Sequence, residues 1–281
     1  MARNPLNLPT GQNSSAIMLA VGINLRFEDF ATIPWRTVGL GLLISTVVRP
    51  AVALAVVAGF GVPPAAAAGV LMLACVPVST LCNFAAVVCG GAVPVSVMLV
   101  AISTVLSVGL TPLLAENLVG VSFHLDTMAM AMTVKDVVLL PVLFGLLMNQ
   151  YLPAVASRLK VALPFLGLAG ATVCSGAPVA THAAAITSAA GVAVLPPVLV
   201  LHLGTLVGCY YAARAGARMS IPESRTVGLA GSMLSSLLAT LLVSRHLPDP
   251  ASVVPCAISI IMMCSVGLIT AAVWAQLDKR K

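Results

Sequence analysis

From residue 14 to residue 275 the chain is a series of apolar runs separated by short hinges, with few polar positions inside the runs. A helix that crosses the hydrocarbon core of a bilayer needs about 20 mostly apolar residues. Nine segments approach or meet that length: 14–25, 36–58, 64–89, 93–115, 132–151, 155–175, 191–213, 224–244 and 251–275. The first holds about a dozen residues, so it reads either as a short helix leaning on protein or as the remnant of a longer one. Hinges such as 59–63 and 90–92 are brief, and no acidic run, Ser/Gly linker or low-complexity tract interrupts the series. The pattern predicts an all-α polytopic membrane protein, with residues 1–281 forming a single membrane domain.

Composition narrows the class further. Sixty per cent of the 281 residues are apolar and 8% charged, with a mean hydropathy of +1.10. Soluble domains are about 45–50% apolar and about 25% charged, so a soluble enzyme, a nucleic-acid-binding domain, a disulfide-rich secreted domain and a disordered chain are all excluded. The net charge of +6 forms no basic, aromatic-interleaved surface of the kind nucleic acid needs. It follows bilayer sidedness instead. With nine spans and the C-terminus inside, the inner segments hold Arg26, Arg36, Arg158, Lys160, Arg214, Arg218, Arg225, Lys279, Arg280 and Lys281. The outer ones hold only Arg3 and Arg245, and cytoplasmic loops carry the basic excess. The seven cysteines sit almost wholly in apolar stretches without C-x-x-C or Cys/His pairing, which argues against a disulfide frame or a zinc site.

Two runs carry interruptions at corresponding depth. The third contains Pro77-Val78-Ser79-Thr80-Leu81-Cys82-Asn83, and the eighth contains Gly228-Leu229-Ala230-Gly231-Ser232-Met233-Leu234-Ser235-Ser236. Proline, glycine and serine also serve close helix packing in membranes. Paired breaks in the two halves, spans 2–5 and 6–9, point instead to an inverted-repeat transporter, whose binding sites lie where helices are discontinuous near the bilayer midplane. No intramembrane acid pair, H-E-x-x-H or G-x-S-x-G is present, so an enzyme is not expected. A channel is the remote alternative.

The run from Gly69 to Asn83, continued by Val93, Ser96-Val97-Met98 and Ser103-Thr104, resembles the bile acid:sodium symporter family. Met18 to Asn24 with Glu28-Asp29-Phe30, and Ser224-Arg225-Thr226-Val227 through Ser236, are similar to further elements of that family, and His202 with Gly208 and Tyr210 resembles its plastid-type members. The resemblance runs in order from about residue 16 to residue 275. It implies a core domain and a panel domain, two discontinuous crossing helices beside sodium sites, and transport of organic anions; a nine-span chain fits members lacking the first helix. It also implies departures. The family's sodium-ligand glutamate falls on Ala230, the following glutamine on Leu234, a serine on Cys82 and a ligand threonine on Val100. Asn83, Ser96 and backbone groups around Met233 remain as oxygen donors for sodium, the coupling ion; no other cofactor is implied.

The resulting expectations are specific. Thr80, Asn83, Ser235, Ser236 and Arg49 are candidate substrate contacts, because half-helix N-termini offer free N–H groups and positive dipole ends to a carboxylate or sulphate. Arg49, in the middle of the second span beside Pro50, has two readings. One is a residue that snorkels or caps a carbonyl at the Pro50 kink. The other is a built-in cation, one turn from Ser45, where the family's sodium-site glutamine aligns. His202 is a candidate proton relay. Lys135-Asp136 reads as a snorkelling interface pair, His182 as solvated, and Glu28-Asp29 and Glu116 as caps. The expected function is secondary transport of an organic anion, a carboxylate or sulphated amphipath, with sodium coupling weakened or lost. A proton-coupled or uncoupled carrier is the alternative. The partners are the small anion and the bilayer, in either a plasma membrane or a plastid envelope.

Overall fold

The computed structural model describes residues 34–120, 126–152 and 179–280, together with Ser15, Met18, Leu19, Gly22, Ile23 and Gly176. The expected 155–175 span, most of the 14–25 span, and Arg3, Arg26, Glu28, Asp29, Arg158, Lys160, Cys174 and Lys281 lie outside the described residues. Within them, all regular structure is helical apart from one isolated bridge. In chain order the helices are α1 (Trp35–Phe60), α2 (Pro64–Cys75), α3 (Leu81–Val88), α4 (Val93–Leu118), α5 (Thr127–Val134), α6 (Leu140–Tyr151), α7 (Ala183–Thr187), α8 (Ala189–Tyr211), α9 (Ile221–Ser232), α10 (Ser236–His246) and α11 (Val253–Lys279). A π-helical turn, Lys135–Leu139, joins α5 to α6. Five helical stretches among the described residues are long and apolar enough to cross a bilayer: Trp35–Phe60, Val93–Leu118, Thr127–Tyr151, Ala189–Gly216 and Pro250–Lys279. The chain is a multi-pass membrane protein.

Local chemistry sets most boundaries. α1 closes on Gly61, whose φ of 57° is the left-handed conformation that glycine adopts without a Cβ clash. Pro64 then opens α2 at a position where its missing N–H costs nothing. The fifth span begins at Thr127 rather than near residue 132, because Asp126 caps it by accepting from the Ala129 N–H at 2.9 Å. Lys135 and Asp136 pair with each other at 3.4 Å on the exposed side.

Both expected interruptions are present. α2 stops at Cys75, and Val76, which precedes Pro77, is extended (φ −83°, ψ 157°) as the proline ring requires of its predecessor; the helix resumes at Leu81. α9 stops at Ser232 without any proline, and Met233 (φ −88°, ψ 86°) and Ser235 (φ −75°, ψ 67°) leave the helical region before α10 resumes. The two breaks meet. Val78 and Leu234 form an antiparallel bridge, in which the Ser79 N–H donates to the Met233 carbonyl at 2.8 Å and the Ser235 N–H to the Pro77 carbonyl at 2.9 Å.

Small residues bring the surrounding helices close, as expected where lipid removes the hydrophobic drive between them. α8 passes α1 at Gly204 and Gly208, where an added Cβ would lie 2.9 Å from Val52 and 2.9 Å from Val48. It passes α9 at Gly228 and Gly231, with an added Cβ on the latter only 2.4 Å from the Cys209 Sγ. Arg225 at the start of α9 pairs with Asp278 near the end of α11, donates to the Cys89 carbonyl at 2.8 Å, and lies 5.6 Å from the Trp274 ring. Large apolar side chains such as Leu43, Val47, Leu113, Phe144 and Ile269 are exposed around the outside, where a bilayer would cover them.

Candidate functional site

Inside a membrane, each backbone polar group freed by a helix break has to find a partner within the protein. At the first break the Thr111 hydroxyl donates to the Cys75 carbonyl at 2.8 Å. Arg49 Nη1 donates to the Val76 carbonyl at 3.1 Å, the Ser235 N–H takes the Pro77 carbonyl, and the Val78 N–H donates to the Ser103 hydroxyl at 3.2 Å. At the second break Arg49 Nη2 donates to the Ala230 carbonyl and Arg49 Nε to that of Gly231 at 3.3 Å. His202 Nδ1 donates to the Ser232 carbonyl at 2.7 Å, and the Ser79 N–H takes that of Met233. Side chains from α1, α4 and α8 therefore complete the hydrogen bonding that two interrupted helices cannot supply themselves.

Arg49 is the hub of this arrangement. It is 5% exposed, and no carboxylate pairs with it among the described residues. Its three bonds reach carbonyls at the C-terminal ends of both α2 and α9, not one at the Pro50 kink. Each helix C-terminus carries about half a negative charge, so two of them roughly offset one guanidinium. An arginine at the bilayer centre costs at least about 2.5–3.5 kcal/mol when unsupported; here the opposing dipoles and three acceptors support it. Ser45, one turn away, spends its hydroxyl on the Leu42 carbonyl of its own helix at 2.9 Å.

The opposite side of the crossing has the opposite polarity. A cavity there is lined by Ser79, Thr80 and Leu81 from the N-terminal end of α3, by Ser235, Ser236, Leu237 and Leu238 from that of α10, and by Thr104 and Met263. Both half-helices turn their positive dipole ends toward this space. Several of their first N–H groups are already taken within the protein: Leu81 donates to the Ser79 hydroxyl, Cys82 to the Ser79 carbonyl, Asn83 to that of Thr80 and Ser236 to that of Leu234. Thr80, Ser235 and Ser236 thus come together around one cavity. Arg49 does not line it; it faces a separate cavity with Ser45, Thr46, Ser103, Ser107 and Thr111. Asn83 stands apart from both, with its Oδ1 accepting from the Ser96 hydroxyl at 2.7 Å. The oxygens named as sodium donors are engaged in protein hydrogen bonds, Met233 through Ser79 and Asn83 through Ser96.

His202 is fully buried. Because a carbonyl only accepts, its Nδ1 carries the proton, and a neutral ring then accepts at Nε2 from the Ser259 hydroxyl at 2.8 Å. Ser259 is in turn 2.7 Å from the Ser236 hydroxyl, so a hydrogen-bond chain runs from the imidazole to the rim of the α10 cavity. Thr111 and Ser259 were not singled out in the sequence, and Ser103 only as part of the Ser103-Thr104 pair that carries the resemblance. Their signal is weak, since a lone hydroxyl in an apolar helix usually bonds its own backbone.

The sequence matches the description Sodium Bile acid symporter family over residues 15–189. It is 34% identical over 263 residues to the probable sodium/metabolite cotransporter BASS3, chloroplastic, of Oryza sativa subsp. japonica, an overlap that covers 92% of this chain and 62% of that protein. The protein of the same name from Arabidopsis thaliana is 33% identical over 263 residues, 92% of this chain and 61% of its own. The probable sodium/metabolite cotransporter BASS5, chloroplastic, of Oryza sativa subsp. indica is 30% identical over 273 residues, 94% and 68% respectively. The chain thus spans about three fifths of the length of the BASS3 relatives. With two interrupted helices meeting at their breaks, a family match over more than half its length and relatives aligned over nearly all of it, the chain belongs to the sodium bile acid symporter family.

Proposed function

We propose that the chain is a secondary transporter of a small organic anion, a carboxylate or sulphated amphipath, which binds in the cavity between the N-terminal ends of α3 and α10. The observation that carries this reading is the sorting of helix ends at the crossing. Both C-terminal ends are capped by Arg49 on one side, and both N-terminal ends open with Ser79, Thr80, Ser235 and Ser236 on the other. Positive dipole ends and the hydroxyl groups of the lining favour a negatively charged group, and the apolar remainder of the wall, Leu81, Leu237, Leu238 and Met263, suits a hydrocarbon body. The reciprocal pairing of residues 77–79 with 233–235 supports an inverted-repeat architecture, which with the spans read from the sequence gives nine crossings, N-terminus out and C-terminus in. The names of the relatives give cotransport of a metabolite with sodium. The departures at Ala230, Leu234 and Val100 favour a carrier whose sodium coupling is weakened or lost, with a proton-coupled or uncoupled carrier as the alternative.

The test is saturable uptake and countertransport of labelled organic anions in proteoliposomes, guided by a thermal-shift screen. Ser235→Ala and Thr80→Val each remove one hydroxyl from the cavity. A hydrogen bond to a charged group is worth about 1.5–3 kcal/mol, so each variant is expected to weaken anion affinity about tenfold or more. Wild-type affinity in both, or uptake that neither saturates nor exchanges, would overturn the reading.

A further inference from the structure

We infer that the Arg49 guanidinium is a tethered cation standing in for a mobile coupling ion, so that the helix crossing is permanently charged and has no place for sodium there. The inference rests on the transporter reading for its consequence, but its structural basis is independent. Carbonyl oxygens of Val76, Ala230 and Gly231 converge from two separate half-helices on one buried positive group. Hard oxygen donors converging on a buried point, with two helix C-terminal dipoles behind them, form the kind of environment that binds a small cation. Here that environment is already filled by the chain itself. A guanidinium fits the task better than an ammonium, because its rigid fork presents separate donors to acceptors on different segments.

Three further observations agree. The residues around the crossing supply no carboxylate to hold a second positive charge: Ala230, Gly231, Ser232, Met233 and Leu234 line the second break, and Val76 to Thr80 the first. Backbone oxygens that a free ion could recruit nearby each already accept one hydrogen bond, Cys75 from Thr111, Ser232 from His202 and Met233 from Ser79, which leaves each with one of its two lone pairs. A sodium ion placed beside Arg49 would also meet a like charge at low dielectric, where repulsion is far stronger than in water. The relatives are named for sodium; this chain has the cation built in. A tethered charge cannot leave with the substrate, so an anion carried by this protein moves as an exchanger or down its own gradient, or with a different ion bound elsewhere.

The experiment reads cation binding without any organic anion, using the purified full chain and sodium chloride against choline chloride at equal ionic strength. Melting of the wild type is expected to be the same within about 1 °C in the two salts. Arg49→Ala leaves the three carbonyls facing an emptied pocket. It is expected to melt lower in choline and to regain about 2–4 °C on addition of sodium or of millimolar methylguanidinium, as a site for a small cation reopens. Arg49→Lys, which keeps the charge with fewer donors, covers the case in which the alanine variant does not fold: it is expected to fold and to remain indifferent to sodium. A wild type stabilised by sodium along a saturating curve would overturn the inference, as would an Arg49→Ala protein that folds and is blind to both cations, or an Arg49→Lys protein stabilised by sodium. Failure of the transport reading shows separately: a wild type that no organic anion stabilises, yet with the expected cation responses, would leave the tethered cation standing and remove the carrier.

Discussion

Gly231 sits where α9 presses on α8 and where its own carbonyl reaches Arg49, so Gly231→Ala tests whether packing and polar capping at the crossing are one unit. A Cβ at this position would lie 2.4 Å from the Cys209 Sγ, 2.8 Å from the Cys209 Cβ and 3.0 Å from the Thr205 carbonyl oxygen. Restoring ordinary contact requires α9 to retreat from α8 by about 1 Å, and forced overpacking of this kind costs about 1–3 kcal/mol. The retreat also stretches the bond from Arg49 Nε to the Gly231 carbonyl, already 3.3 Å, beyond hydrogen-bonding range. Losing a bond to a charged donor adds about 1.5–3 kcal/mol. Together these amount to about 2.5–6 kcal/mol, which lowers the melting temperature by about 5–24 °C, measured by fluorescence-detected melting in detergent. Cys209→Ala removes the nearest clash while leaving the Cβ and the Thr205 carbonyl, so the double variant is expected to recover about half the loss. The coupling between the two sites should exceed about 0.5 kcal/mol. A Gly231→Ala protein melting within 1 °C of wild type, or strictly additive effects, would refute the idea that α9 is held at van der Waals contact there.

Two other substitutions probe the polar capping of the breaks. Thr111→Val keeps the shape but leaves the Cys75 carbonyl without its donor, and is expected to cost about 1–3 kcal/mol, with Thr111→Ser restoring most of it in the same melting assay. His202→Leu removes the donor to the Ser232 carbonyl and the acceptor of Ser259 and is expected to destabilise by a similar amount. Uptake by the wild type is expected to be insensitive to an imposed proton gradient, and gradient-driven accumulation that His202→Gln abolishes would instead give this histidine the proton-relay role.

The membrane class, the all-helical fold and the two breaks were legible along the chain because each is a local property. Hydropathy follows from composition within a window of about 20 residues, and Pro77 extends Val76 wherever the segment is placed. The second break was legible only as a cluster of glycine and serine, since α9 ends without a proline; its carbonyls are taken by Arg49, by His202 and by the Ser79 N–H of the other break. Which side chain completes which broken helix is a matter of tertiary structure. Arg49 reaches Ala230 and Gly231 across some 180 positions of sequence, and no periodicity encodes that meeting. For the same reason Thr80, Ser235 and Ser236 came to one cavity while Arg49 and Asn83 did not, although all five lie at or near the two breaks or the span beside them. Sequence spacing fixes which face of a helix a residue occupies. Only the packing of α1, α4 and α8 around the crossing decides whether that face meets the negative or the positive ends of the half-helices.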